Sequence, residues 1–470
     1  MVGDGVHGIL YGHIRKGDTA RMTRRLTLLD LRFFTGDDAA ALAPENATSE
    51  LYQSLIAHGM WGTALITMAV ATRLPGPGSR LLHHELDYVG DVGLGDMVSV
   101  ELEVLEKQDG RRVLLSCCCL GPDGAPVVTG KALVECPEHD VSAPEDVVAA
   151  LEASGRRRQL RRLLNQARGI PALRTAVVHP VDALSLGGAI AAAGHGLIIP
   201  VLVGPERRIR DVAEAEEIDL DRIELVPTEH SHAAAATAVA LAREGRVGAL
   251  MKGALHTDEF MSAVVGRDSG LRTGRRMSHA WVMDVPTYPR PLIITDSALN
   301  IRPDLLTKAD IVRNAIDLAH ALDVQRPRVA ILSATEEVNP QIQSTLDAAA
   351  LCKMAERGQI RGGDLDGPLG FDNAISEAAA KTKGINSPVA GKPDVLLAPD
   401  LESANMLGKQ LHYLADAEAA GIVLGARVPV VLTSRADDLF SRVASSAIAL
   451  LLDRHHKAAH RDVTHTEVGN

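Results

Sequence analysis

The chain has 470 residues, of which 46% are apolar, 3% are aromatic and 23% are charged, and its net charge is −11. This length predicts two or three domains, and the composition is typical of a globular α/β protein. The negative charge argues against general affinity for nucleic acids or anionic membranes. Because we find neither a leader-type N-terminus nor an apolar run of about 20 residues, we expect a cytoplasmic location and no membrane partner.

The first domain, at 1–137, is predicted to be an antiparallel sheet around one helix. The segment 51–73 has apolar residues on almost every side of a helix, so it needs cover from several directions. A sheet wrapped around one central helix is the hot-dog arrangement. Turn-forming residues separate short predicted strands at 81–88, 97–106, 112–120 and 127–135.

Three of the five cysteines, Cys117 to Cys119, are consecutive in a predicted strand. Side chains alternate between the two faces of a strand, so these three residues cannot form a metal site or a disulfide framework. We expect reduced cysteines that fill space in the core.

Several short stretches of the first domain resemble the MaoC-type enoyl-CoA hydratases. The resemblance implies that the helix start at His58 and Gly59 offers backbone N–H groups to the carbonyl of an acyl-CoA thioester. A packing role for Gly59 is the alternative. The matching stretches are IAHGMW at 56–61, TGD at 35–37, LPGPG at 74–78 and GD at 95–96.

One departure from that family concerns the residues that activate water. The hydratases carry an Asp-x-Asn-Pro-x-His pattern. At the corresponding positions this chain retains the aspartate as Asp37, but Leu42 stands in place of the histidine. Loss of one member of an acid–base pair costs roughly 100 to 10,000-fold in rate. His83 and His84 do not obviously replace it, because alternation puts them on opposite faces of the sheet. We expect an impaired hydratase; the alternatives are a fully bifunctional enzyme and a non-catalytic acyl-CoA-binding or dimerisation module.

Residues 138–170 are predicted to be a linker with a connecting helix. The stretch 138–143 is polar, and 145–164 has helical composition with mixed charge. No strand is indicated in this region. The helix fits the second domain equally well.

The second domain, at 171–470, alternates apolar strands with helices and predicts a doubly wound α/β fold. No Walker loop or GxGxxG is present at a strand-to-helix junction, which argues against nucleotide hydrolysis and ordinary dinucleotide binding. His230 and His232 would not share a helix face, so no metal is predicted there. Strands are predicted at 175–178, 200–203, 249–251, 292–294, 329–332, 395–398 and 430–432, and helices at 182–193, 209–216, 231–244, 308–322, 341–357, 404–417 and 439–452.

The predicted strand 395–398 is followed by the small or polar residues Ser403, Ala404 and Asn405 at a helix start. Such a junction forms the crevice where open α/β sheets bind ligands, with backbone N–H groups suited to a phosphate or an oxyanion. An ordinary strand–loop–helix connection is the alternative.

Three stretches resemble the phosphate acetyl/butyryltransferase family. They are DGPLGFDNA at 366–374, SPVAGKPDVLLAPDLESANMLGKQL at 387–411 and VVLTSRAD at 430–437. The resemblance extends over about 175–452. It implies a two-subdomain α/β fold with the active site between the subdomains, and transfer of an acetyl or butyryl group between phosphate and coenzyme A. Coenzyme A is then a substrate, no cofactor or metal is bound, and we expect a homo-oligomer. A dehydrogenase of related fold is the alternative, but nothing marks a nicotinamide site.

Acyl transfer between phosphate and a thiol needs cations, because the charge on the phosphate rises as it leaves. Lys252, Arg272 and Arg435 are the residues we select for this role. The resemblance implies that Ser434 and Arg435 stabilise the transition state and bind acyl phosphate. It further implies a thiol base at an aspartate seven residues after the serine, but that position is Ser441 here.

The departure at Ser441 leaves Asp437 and Asp438 as the nearest candidates for the base, and it favours the butyryl branch of the family. The resemblance also implies that Asp366 and Asp372 belong to the ligand cleft, although loop capping is the alternative. His256 and Asn405, in neighbouring family stretches, complete the predicted substrate-binding set.

Overall fold

The computed structural model describes residues 5–26, 60–93, 95–144, 157–433 and 437–467. The chain divides into two compact units, Met1–Arg158 and Gln159–Asn470. This division falls within the predicted linker at 138–170, whose own limits stay predictions.

In the first unit, within the described ranges, five antiparallel strands pack against one helix in the order β2-β4-β5-β6-β3. Alternate residues of β4 and β5 are buried, and they form a core with Trp61, Leu65 and Ile66 of helix α1. The predicted hot-dog arrangement is confirmed. The elements of this unit are β1 (Gly5–His7), β2 (Thr19–Arg25), α1 (Met60–Thr72), β3 (Arg80–Tyr88), β4 (Met97–Gln108), β5 (Arg112–Leu120), β6 (Pro126–Glu135) and β7 (Ser142–Pro144).

Two features of the first unit differ from the sequence prediction. Strand β2 was not predicted, because it is a largely exposed edge strand with three arginines among its seven residues. Charge on an edge strand discourages pairing with other chains, but it hides the apolar alternation that marks a strand. The expectation of no strand in 138–170 was wrong, since β7 pairs with β1 in antiparallel register.

Two of the three consecutive cysteines of β5 fill the core as predicted. Cys117 and Cys119 are buried, Cys118 is partly exposed, and all three thiols are free. Burial raises the pKa of Cys117 and of Cys119 to about 12, so both stay protonated at neutral pH. His83 and His84 are both exposed on the edge strand β3.

The second unit contains one mixed sheet with helices on both sides. Its strands, in the described residues, are β8 (Leu173–Val178), β9 (Ile198–Gly204), β10 (Glu224–Pro227), β11 (Ala249–Lys252), β12 (Ser278–Asp284), β13 (Leu292–Thr295), β14 (Arg328–Leu332), β15 (Asp364–Leu369), β16 (Val395–Leu397), β17 (Glu418–Leu424) and β18 (Val430–Val431). Its helices are α2 (Arg158–Ala167), α3 (Ala183–Gly194), α4 (Glu206–Ala215), α5 (Ser231–Arg243), α6 (Thr257–Val265), α7 (Leu305–Ala321), α8 (Gln343–Glu356), α9 (Phe371–Ile375), α10 (Glu377–Thr382), α11 (Leu401–Leu414) and α12 (Leu439–Glu467).

The strand order of this sheet is β10-β9-β8-β11-β18-β17-β12-β13-β16-β14-β15. The first five strands are parallel to one another, and so are the last four. Between them, β17 pairs with β18 and β12 in antiparallel register, and β12 pairs likewise with β13. The predicted doubly wound α/β fold is therefore confirmed, and its two parallel halves run in opposite directions.

Four strands of this sheet, β10, β12, β15 and β17, were not predicted. β12 buries Ser278, His279 and Asp284 beside its apolar residues, so its sequence does not form the continuous apolar run expected of a central strand. β15 contains Gly367 and Pro368, and β10 has only four residues. Polar residues, turn-forming residues or short length therefore conceal β12, β15 and β10 in the sequence.

Helix α2 belongs to the second unit. Leu160 and Leu163 are buried in the core of that unit. A carboxylate oxygen of Asp284 accepts hydrogen bonds from the backbone N–H groups of Gln159 and Leu160, at 2.6 and 3.0 Å. These bonds satisfy donors that a helix start leaves without partners. The described part of the predicted connecting helix is thus fixed to the α/β unit.

Candidate active site

Lys252 lies at the carboxyl end of β11 and is almost completely buried, with 3% of its surface exposed. The parallel register pairs Met251 with Val431, which places Lys252 level with Leu432 at the end of β18. The following residue, Gly253, donates its N–H to the Val178 carbonyl, and a Cβ at Gly253 would lie 2.4 Å from that oxygen. The chain can turn this tightly only at a glycine. Three parallel strands therefore end together here, at the kind of edge where α/β sheets bind ligands.

A buried hydrogen-bond network centred on His279 connects the end of β18 to the other half of the sheet. The imidazole Nδ1 of His279 lies 2.8 Å from Ser297 Oγ, and the ring also donates to the Leu432 carbonyl. Complete burial lowers the pKa of His279 to about 4, so the ring is neutral at physiological pH. Gly421 makes the approach possible, because a Cβ there would lie 2.3 Å from the Leu432 oxygen and 3.1 Å from His279 Nε2.

The loop after β13 is held by the buried carboxylate of Asp296. Its oxygens accept hydrogen bonds from the backbone N–H groups of His279, Ala298, Leu299 and Asn300, each at 3.1 Å. Predicted site residue Asn405, in the first turns of α11, donates to the Ser297 carbonyl at 3.1 Å. Asn405 therefore reaches the same loop that holds His279.

The start of α12 places a second buried cation near the end of β18. Asp438 caps this helix by accepting the Ser441 N–H at 2.8 Å. Arg442, which is 4% exposed, donates from Nη1 to Thr433 Oγ1 at 3.0 Å. Burial lowers the pKa of Arg442, while the carboxylates of Asp437, Asp182 and Asp438 act in the opposite direction. Predicted base candidates Asp437 and Asp438 thus lie within the field of a buried guanidinium.

Two further predicted site residues, Arg272 and His256, have exposed side chains. Arg272 is exposed and forms an isolated bridge with Ala426, which precedes β18, whereas Lys252 lies at the far end of that strand. His256 is exposed and precedes α6 without capping it through its side chain. The structure therefore brings Lys252, but not the backbone of Arg272, to the carboxyl end of β18.

The predicted carboxylates Asp366 and Asp372 belong to β15 and the helix start that follows it. Asp366 accepts the backbone N–H of Gly367 at 2.9 Å. Asp372 lies 3.2 Å from Lys383 Nζ, and the Asn373 backbone N–H followed by Lys383 lowers the pKa of this carboxyl. Both carboxylates thus have partners within the same part of the chain, and their place in the ligand cleft stays a prediction.

A pocket of about 560 Å³ opens at the carboxyl ends of β14 and β16. This volume is within the usual range for small-molecule sites. Its lining combines hydroxyls, one amide and one carboxylate with apolar side chains, and the Ser403 hydroxyl donates to Asp400 at 2.7 Å. The pocket is lined in part by Leu332, Ser333, Phe371, Asp400, Ser403 and Leu407.

Five predicted site residues lie outside the described residues. They are Ser434 and Arg435, which follow Thr433 in the chain, and Asp37, His58 and Gly59 of the first unit. Conversely, sequence analysis did not identify His279, Ser297 or Arg442. The available signal for Arg442 is its spacing from Asp438, four residues earlier, which is a helix-start pair. His279 carries no such local signal.

Two further observations concern metals and membranes. Among the residues that the structure describes, no three His, Cys, Asp or Glu side chains are placed to hold a metal ion. No helix in the described ranges is long and apolar enough to cross a membrane.

Comparison with known proteins gives consistent matches for the α/β unit. A family model described as phosphate acetyl/butaryl transferase matches residues 228–450. A phosphate acetyltransferase of Rhizobium meliloti is 60% identical over 298 residues, which are 63% of this chain and 94% of that protein. A phosphate butyryltransferase of Clostridium beijerinckii is 39% identical over 63% of this chain and 98% of its own length. A solved branched-chain phosphotransacylase from Enterococcus faecalis V583 is 26% identical, with a TM-score of 0.53, over 60% of this chain and 100% of that one.

Proposed function

Because this chain belongs to the phosphate acetyl/butyryltransferase family and is an acyltransferase of that type, we propose that its second unit catalyses acyl phosphate + CoA ⇌ acyl-CoA + phosphate. One structural observation carries the proposal. The buried Lys252 lies beside the end of β18, and the chain runs from that strand directly into Ser434 and Arg435. A cation at this edge supplies the charge that a departing phosphate requires.

The proposed route is a direct transfer. A carboxylate removes the proton from the CoA thiol, the thiolate forms a bond to the acyl carbon, and the carbon–oxygen bond to phosphate breaks. Ser434 and backbone N–H groups stabilise the oxyanion, while Arg435 with Lys252 or Arg272 holds the phosphate as it leaves. Asp437 and Asp438 are the candidates for the base, and Asp438 also accepts a backbone N–H as the cap of α12. This scheme uses CoA as a substrate and no bound cofactor or metal.

The direct route predicts a specific pattern of isotope exchange. In a direct transfer, labelled phosphate enters acyl phosphate only when CoA is present, since phosphate must attack acyl-CoA. A covalent acyl-enzyme would exchange phosphate without CoA. Rapid exchange in the absence of CoA, with CoA contamination excluded, would therefore contradict the direct route while leaving the overall reaction intact.

The acyl chain length is the finer part of the proposal. The change of the family base position to Ser441 supports the butyryl branch, whereas the 60% identical relative is named as an acetyltransferase. CoA-dependent phosphate release should be compared for acetyl, propionyl and butyryl phosphate. We expect turnover of at least one substrate, with butyryl phosphate favoured; no turnover of any of them would overturn the proposed function.

For the first unit we propose acyl-CoA binding with little hydration of enoyl-CoA. The support is the replacement of the expected histidine by Leu42 beside the retained Asp37, and the exposure of His83 and His84 on an edge strand. The full chain should bind crotonyl-CoA but hydrate it slowly, and Ala39→Asn, Ala40→Pro and Leu42→His together should increase hydration. Fast hydration by the unmodified chain would favour a fully bifunctional enzyme. A dimerisation role, homo-oligomeric assembly and a cytoplasmic location stay predictions.

A further inference from the structure

The pocket at the carboxyl ends of β14 and β16 lies where the strand order in the second half of the sheet reverses. The chain passes from β14 outward to β15 and then returns to β16, on the other side of β14. Helix α8, which follows β14, packs into one core of the unit, whereas α11, which follows β16, packs into another. The two helices therefore leave adjacent strands towards opposite faces, and open α/β sheets bind ligands in the crevice that this creates.

The acyl-transfer centre lies at a different reversal in the same sheet. Lys252 ends β11, and the strand order of the first half reverses between β8 and β11. Because the two parallel halves run in opposite directions, the ends of β14 and β16 lie at the other edge of the sheet. The proposed reaction scheme assigns no residue to the crevice between β14 and β16, so the pocket there has no role in that scheme.

The residues around this pocket exclude several classes of ligand. None of the described residues that line it is a lysine or an arginine, and Asp400 adds a negative charge, so an anion is disfavoured. One carboxylate is too few to hold a metal ion. A simple acyl chain would remove the Asp400 carboxylate from water without giving it a hydrogen bond, which is costly. The lining fits a neutral ligand that has both an apolar surface and hydrogen-bond donors.

Three lining side chains supply complementary contacts. Phe371 is 43% exposed at the pocket, so its ring is available to stack on a flat group. Gln410 is exposed on the face of α11 that carries Ser403 and Leu407, and its amide both donates and accepts hydrogen bonds. Asp400 Oδ1 accepts the Ser403 N–H and hydroxyl, at 2.8 and 2.7 Å, which within the described residues leaves Oδ2 for a ligand hydroxyl.

We propose that this pocket binds the adenosine group of an adenine nucleotide. Phe371 stacks on the base, the Gln410 amide pairs with adenine N6 and N7, and Asp400 accepts a ribose hydroxyl. The phosphates extend into solvent, because no described lining residue is cationic. The adenosine belongs either to coenzyme A or to a separate adenine nucleotide, and only the first assignment rests on the proposed function.

Binding of adenosine to the purified full chain, measured by isothermal titration calorimetry, is the first test. Phe371→Leu keeps an apolar side chain but removes the aromatic ring, and it should weaken adenosine binding by about tenfold or more. Phe371→Tyr should bind adenosine as the wild type does. Lys409→Ala is the matched control and should also bind normally, because Lys409 is exposed on α11 next to Gln410 but does not line the pocket.

The role of Gln410 is tested by selectivity between adenosine and inosine, which has a carbonyl in place of the N6 amino group. The wild type should bind adenosine about tenfold more tightly than inosine, since a bidentate amide pair discriminates to this extent. Gln410→Ala should bind the two nucleosides alike. A general structural defect would weaken both and leave their ratio unchanged, so the ratio reports the contact itself.

Competition with coenzyme A separates the two sources of adenosine. If the pocket takes the adenosine of coenzyme A, adenosine should inhibit acyl transfer competitively against CoA, and saturating CoA should abolish its binding in calorimetry. If the pocket takes a separate adenine nucleotide, adenosine should bind equally well in the presence of saturating CoA.

Three outcomes would each overturn the assignment of this pocket. They are no adenosine binding by the wild type, equal binding by Phe371→Leu and the wild type, and an unchanged adenosine-to-inosine ratio in Gln410→Ala. A wild-type chain that binds adenosine but transfers no acyl group would instead refute the proposed function and leave the pocket assignment intact.

Discussion

The buried ring of His279 makes stability depend on pH in a direction fixed by its environment. Burial lowers its pKa to about 4 in the folded chain, whereas an unfolded histidine titrates near 6.5. The unfolded state therefore binds the proton more readily than the folded state. The stability associated with the neutral ring is fully present above about pH 6.5 and is lost as the pH falls towards 4.

The size of the effect follows from these two pKa values. Their difference corresponds to a contribution of about 3 kcal/mol to the unfolding free energy. About 2 kcal/mol of this contribution should be lost between pH 7 and pH 5. His279→Gln places a neutral hydrogen-bonding side chain at this position and cannot titrate. Between these two pH values, the variant should lose about 2 kcal/mol less of its unfolding free energy than the wild type does.

Urea unfolding at the two pH values provides the measurement. The chain has two tryptophans, and the ring centroids of Trp281 and His279 are 5.6 Å apart. Replacing the other tryptophan by Trp61→Phe leaves a fluorescence signal that reports on the α/β unit. Ser297→Ala is the matched control, because it removes a hydrogen-bond partner but keeps the ring and therefore the pH dependence. Equal pH dependence in the wild type and His279→Gln would refute the assignment of a buried, neutral His279.

Three other predictions concern the base, a buried ion pair and the cysteines. Asp437→Asn should lose kcat/KM at neutral pH and recover part of it as the pH approaches the thiol pKa of about 8.5; a pH profile parallel to that of the wild type would remove Asp437 as the base. Lys308 Nζ lies 2.7 Å from Asp347 Oδ2, and both side chains are buried. Lys308→Met should therefore cost about 3–5 kcal/mol of unfolding free energy, because it leaves the carboxylate buried without its cation. The double variant Lys308→Met with Asp347→Leu should cost much less. Cys117 and Cys119 should react with a thiol reagent at neutral pH only after unfolding, and rapid labelling of either residue in the native chain would contradict their burial.

The sequence predicted those elements whose signal is local. The apolar run at 395–398 corresponds to β16, and the small residues after it lead into α11 as expected. The alternation within β4 and β5 likewise identifies strands that face a core on one side. In these segments the side-chain period, the turn residues and the burial agree, so the sequence alone is sufficient.

The remaining features depend on contacts between distant parts of the chain. His279 has its hydrogen-bond partners at Ser297 and Leu432, and Gly421 leaves the space for its ring. Nothing in the sequence around His279 indicates that three separate segments meet there. Arg442 similarly depends on the packing of α12 against α3, where Gly188 leaves the space for its side chain. Site residues held by tertiary contacts are therefore the least predictable part of the fold.

The central claim is tested most directly by thioester formation from acyl phosphate and CoA with the purified full chain. The wild type should form acyl-CoA and phosphate in equal amounts. Arg435→Ala should lower kcat/KM for acyl phosphate by roughly 10- to 100-fold, because a charge-assisted contact to phosphate contributes a few kcal/mol. Arg210→Ala, at an exposed surface pair with Glu206, is the control and should match the wild type. A wild-type chain that forms no thioester, or an Arg435→Ala variant with unchanged kcat/KM, would contradict the account.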